Sequence, residues 1–109
     1  MKQSKYRIKD LPEDQRPREK LLKHGADKLS DVELLAILLR TGTRGKSAIE
    51  MADEILRSAG GTFKGLAGKD IDEIIKIPGI KNAKVITIAA ALEITRRVSK
   101  QILKDKGII

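Results

Sequence analysis

The stretch IDEIIKIPGIKNAKVITIAAAL, residues 71–92, decides the fold. Its first part reads as a brief helix. Asp70 stands at the cap position with Glu73 at the reciprocal one, and Ile71, Ile74 and Ile75 are expected to face inward. Pro78-Gly79 halts that helix, and a second begins near Asn82. There Val85, Ile88, Ala89 and Leu92 follow the i, i+3, i+4, i+7 spacing of an amphipathic helix. It is expected to run to about Val98, with residues 99–106 as a weaker extension. Gly79 can take a positive φ and let the backbone approach another surface. Ile80 should anchor the corner in the core, and the small Ala83 should let the two helices pack closely. The N–H groups of Lys81, Asn82 and Ala83 then lie at a helix N-terminus, which carries partial positive charge and suits a phosphate. Lys81 and Lys84 add full charges beside it.

Working back toward the N-terminus, the same grammar recurs. Ser30 and Glu33 form an S-x-x-E capping box, as do Ser47 and Glu50. Residues 32–39 are apolar on nearly every side, which predicts a central, buried helix. The next helix carries Ile49, Ala52, Ile55, Leu56 and Ala59 on one stripe and ends at Gly60-Gly61. A short connector at Phe63–Ala67 follows Thr62, and upstream Pro17 opens a short helix that Gly25 stops. No segment alternates with a period of two, so no sheet is expected. The prediction is an all-α fold of five to six short helices. Two helical pairs flank two glycine-containing turns, Thr41–Lys46 and Ile77–Lys81, in an arrangement like a double helix-hairpin-helix. The second turn resembles the helix-hairpin-helix signature, in which a Gly-apolar-Gly turn separates two helices. Here Lys81 replaces the second glycine, adding a cation while restricting the turn's geometry. By the same logic the first turn, which holds Arg40, Arg44 and Lys46 with Gly42 and Gly45, is a candidate for a second phosphate, with Arg44, Gly45 and Lys46 as its site residues.

Composition supports a polyanionic partner. The chain has 109 residues, which fits one domain, and 23 Lys+Arg against 15 Asp+Glu give a formal charge of +8. That excess favours nucleic acid first. Tyr6 and Phe63 are the only aromatic residues. Single-strand binders stack bases on several rings, so the scarcity points to a duplex backbone. There are no cysteines, in keeping with a reducing, cytoplasmic setting. The charged N-terminus is not a signal peptide. The longest apolar run, Leu34–Leu39, is too short to span a bilayer.

Catalytic readings fare poorly. His24 is the single histidine, and without cysteines it gives no zinc set. Asp70, Asp72 and Glu73 occupy a first helical turn, where acids are expected. Glu13, Asp14 and Glu19 read as solvated, or paired with Arg16 and Arg18. Gly45-Lys46-Ser47 resembles the end of a nucleotide phosphate loop, but Arg40 stands where the first glycine belongs and a helix precedes it instead of a strand. No cofactor and no metal are expected, and no enzymatic centre.

Two longer strings are distinctive: residues 11–22, LPEDQRPREKLL, and residues 29–43, LSDVELLAILLRTGT. With Gly45-Lys46-Ser47 and the Pro78-Gly79-Ile80 corner, they resemble the N-terminal region of bacterial RadC proteins over residues 6 to about 98. The resemblance implies an N-terminal helix-hairpin-helix domain followed by a C-terminal JAB/MPN-like domain, which is similar to zinc-dependent isopeptidases and holds that family's metal ligands. None of that second domain is expected in this chain. The expected organisation is an arm at 1–15, a helix-hairpin-helix domain at 16–98, and a tail at 99–109 leading toward the absent domain. The functional expectation is non-specific duplex or structured DNA binding in a RadC-like DNA repair protein, through Gly79, Ile80, Lys81, Asn82, Ala83, Lys84, Arg44, Gly45 and Lys46. The competing expectation is a docking domain for the C-terminal partner domain, with residues 14–22 as the docking segment.

Overall fold

A computed structural model describes residues 11–109 other than Arg44. Residues 1–10, the greater part of the expected arm, lie outside the described residues. The described residues form six α-helices: α1 (Pro17–His24), α2 (Asp31–Leu39), α3 (Ala48–Ser58), α4 (Phe63–Ala67), α5 (Ile71–Ile74) and α6 (Asn82–Asp105). Short 3-10 turns at Glu13–Gln15 and Ala26–Lys28 flank α1. Among the described residues there is no strand, only an isolated bridge between Thr43 and Lys46 in the turn between α2 and α3.

Local sequence sets the helix starts. Ser30 Oγ accepts from Glu33 N–H at 3.1 Å while the Glu33 carboxylate accepts from Ser30 N–H at 2.9 Å, and Ser47 and Glu50 repeat the exchange at 3.0 Å each way. Each box satisfies donors that a helix end leaves open. Thr62 Oγ1 accepts from Gly65 N–H at 2.9 Å to start α4. At α5 the Glu73 carboxylate accepts from Asp70 N–H at 3.1 Å.

The core is built on α3. Ala48, Met51, Ala52, Ile55, Leu56 and Ala59 are all buried, which is one continuous helical stripe. Leu35, Ala36 and Leu39 of α2 pack on it, with Leu66, Ile74, Ile80, Val85 and Ile88 completing the cluster. Helix α6 lies against α2 and α5, and α4 joins the α2–α3 pair to the α5–α6 pair. Ile74 alone secures the short α5, at 1% exposure, so Ile74→Ala should cost about 2–5 kcal/mol.

Three expectations need correction. Ile71 and Ile75 do not face inward; both are exposed. A four-residue helix offers one inward position, and Ile74 holds it. Helix α2 is not enclosed, because Leu38 stays 38% exposed. Ala83 is exposed and so does not mediate helix packing. Helix α6 runs unbroken for 24 residues, about 36 Å, through the extension expected over residues 99–106.

Candidate nucleic-acid interface

The two glycine-containing turns meet. Thr41, Gly42, Thr43, Gly79, Ile80, Lys81, Ala83 and Lys84 line a shallow cleft of about 660 Å³ between them. Glycine is required on both sides. Gly79 has φ +86°, and a Cβ there would sit 3.2 Å from Thr43 Oγ1. A Cβ on Gly42 would lie 1.9 Å from the Lys46 carbonyl oxygen, inside the closed turn. The close approach that Gly79 allows is therefore, in the free chain, an approach to the partner turn.

Ile80 is buried and its N–H donates to the Ile77 carbonyl at 3.2 Å, so the corner is anchored as expected. The backbone N–H groups of Gly79, Lys81, Asn82 and Ala83 have no protein acceptor among the described residues, and all four residues are exposed. Lys81 has no side-chain cap at the start of α6. Three of these residues, Gly79, Lys81 and Ala83, line the cleft, and Asn82 begins the 24-residue helix whose positive end lies there.

The cations divide into two kinds. The Lys84 ammonium donates to the carbonyl oxygens of Leu39 and Thr41, at 2.7 Å each, and to Thr41 Oγ1 at 3.4 Å. It closes the C-terminal end of α2 and ties α6 to the first turn. Burial first, then the charges of Arg40 and Lys81, hold its pKa below the usual lysine value. Its expected role as a free phosphate ligand is therefore corrected: the side chain is already engaged with carbonyls. Lys46 is also engaged, in an ion pair with Glu54, which leaves little unbalanced charge at that position. Gly45 is exposed at φ +84°. Arg44 lies outside the described residues.

Lys81 is exposed and makes no ion pair with a described residue. Arg40, one of the cations that the sequence puts in the first turn, acts on Lys84 as Lys81 does. Arg40 is exposed and has φ 68° and ψ −55°, the one non-glycine residue with positive φ among the described residues. The Thr41 N–H donates to the Leu39 carbonyl at 2.7 Å across it, which makes a γ-turn of the rare, strained kind. A clue was present in sequence: Arg40 directly follows the last helical residue and precedes Thr41-Gly42. The Lys84 ammonium bonds the carbonyls on either side of Arg40, those of Leu39 and Thr41, a pairing that no local pattern encodes.

No group of acids and histidines that could hold a metal ion occurs among the described residues. No helix among them is long and apolar enough to cross a membrane.

Comparison with known proteins places the chain. A family model described as UPF0758 N-terminal matches residues 8–86. A UPF0758 protein of Bordetella petrii is 48% identical over 92 residues, covering 84% of this chain and 40% of that protein. One from Dechloromonas aromatica is 47% identical over 94 residues, covering 86% and 42%. One from Bacillus licheniformis is 43% identical over 103 residues, covering 94% and 46%. The chain thus spans less than half the length of these curated relatives. No solved structure gives a significant match. On the family match and these identities, the chain belongs to the UPF0758 family, to whose N-terminal region it corresponds.

Proposed function

We propose that this chain is a DNA-binding module of the helix-hairpin-helix kind. It grips the phosphate backbone of duplex or structured DNA at the cleft between its two turns. The observation that carries this reading is the set of N–H groups of Gly79, Lys81, Asn82 and Ala83 that have no acceptor among the described residues, near the cations Lys81 and Arg40, both of which act on Lys84. Helix N-termini of this kind hold phosphate oxygens through main-chain donors. The +8 charge supports the same partner. Phosphate contacts fix position without reading bases, so little sequence preference is expected. Lys84 acts behind this surface by fixing the two turns together, and Lys46 contributes little while paired with Glu54. We place this function in the cytosol and, following the resemblance noted in the sequence, in a RadC-like DNA repair protein.

Titration of a labelled duplex with the chain at two salt concentrations tests the proposal. Affinity should fall with a log–log slope of about −0.9 per phosphate neutralised. Lys81→Glu should weaken binding at least tenfold. Binding that is unchanged by Lys81→Glu, or that is insensitive to salt, would remove the corner from the account.

A further inference from the structure

The apolar surface of this fold is unfinished on one side. Leu38 of α2, Phe63 of α4, Ile71 of α5 and Leu92 of α6 line an open groove of about 720 Å³, whose α6 wall begins at Ile88, one turn beyond Lys84 of the cleft, and shares no lining residue with it. Its α6 wall continues through Thr95 and Ser99. Ile102 and Leu103 follow Ser99 by three and four residues, so helical geometry carries the same face onward. Every residue from Ile94 to Ile109 is exposed, including six large aliphatic ones. A helical segment of that length is marginal without a partner.

We infer that this groove and the projecting end of α6 seat part of the chain that follows α6 in full-length UPF0758 proteins. Two observations choose that occupant. The chain covers only 40–46% of the relatives named above, and the matching family model is that of the N-terminal region. In those relatives most of the protein therefore follows the segment equivalent to this one. A polypeptide leaving the end of α6 meets the projecting aliphatic face first, at the high effective concentration that a short tether gives. A second copy fits less well. Each copy carries +8, Lys64 on the groove wall is exposed without an acidic partner among the described residues, and Lys100 and Lys104 flank the projecting helix. Pairing two such faces sets like charges together. The inference rests on family membership and is independent of DNA binding. It also moves the docking surface away from residues 14–22.

The test is a chimera: residues 1–109 of this chain joined to the portion of the Bordetella petrii relative that follows its matched region. Amide hydrogen exchange is compared with that of the 109-residue chain, without DNA. Exchange across residues 63–71 and 94–103 should slow at least tenfold in the chimera. Leu38→Asp with Ile71→Asp, both at exposed positions, should abolish the slowing while leaving the far-UV dichroism of the 109-residue chain unchanged. Equal exchange in the chimera and the isolated chain would overturn the inference. So would concentration-dependent slowing in the isolated chain, which would assign the face to a second copy.

Discussion

Replacing Lys84 by methionine separates a structural lysine from a ligand lysine. Methionine keeps the apolar stem and removes the ammonium. It therefore deletes two 2.7 Å hydrogen bonds from a charged donor to the Leu39 and Thr41 carbonyls. Hydrogen bonds to charged groups contribute about 1.5–3 kcal/mol each. Two effects reduce that sum. Thr41 is exposed, so water can replace the lost donor, and the variant escapes the burial and like-charge repulsion that lower the Lys84 pKa. The net cost should be about 1–2 kcal/mol, which for a domain of this size lowers Tm by about 5–10 °C. Lys81→Met removes an exposed side chain without an ion-pair partner and should change stability by less than about 0.5 kcal/mol. Thermal and urea unfolding, followed by far-UV circular dichroism at neutral pH, measure both. If the two variants unfold at the same temperature, the tie between α6 and the first turn is not stabilising and the reasoning fails.

Other consequences can be checked independently. Arg40→Gly should relieve about 1–3 kcal/mol of backbone strain, offset in part by glycine's entropy. Its Tm should rise by a few degrees while duplex affinity falls; a lower Tm would show that the γ-turn is unstrained. Gly42→Ala forces a Cβ against the Lys46 carbonyl and should cost about 1–3 kcal/mol, readable as a lower urea midpoint. Hydrogen bonds first from Arg96 and then from Arg97 hold Glu93 down to about 2, against an ordinary value of 4.5. A depressed carboxylate stabilises the fold above pH 4.5 and loses that contribution as pH falls through about 2. An NMR titration should find its midpoint near the lower value in the wild type, and nearer 4.5 when both arginines are alanine.

Features governed by a few neighbouring residues were legible in the sequence. The boxes at Ser30–Glu33 and Ser47–Glu50, the buried stripe of α3 and the inward Ile80 all follow from local spacing. Helix α5 was misread because four residues cannot express a helical period, so Ile71 and Ile75 looked equivalent to Ile74. Within the site, the corner's position and its open N–H groups followed from Pro78-Gly79 and the start of α6. The role of Lys84 did not, because its carbonyl partners lie 43 and 45 residues away. The eight-residue reach from Lys46 to Glu54 hid the loss of a candidate cation. The continuous apolar run of α2 suggested burial on all sides. It was the apolar lining of an open groove that the run also encoded.

The most direct test of the central claim is amide chemical-shift mapping by NMR as a short duplex is added at low salt. The N–H signals of Gly79, Lys81, Asn82 and Ala83 should shift most and move back as salt is raised. Shifts confined to other surfaces, with these four signals unmoved at saturation, would contradict it.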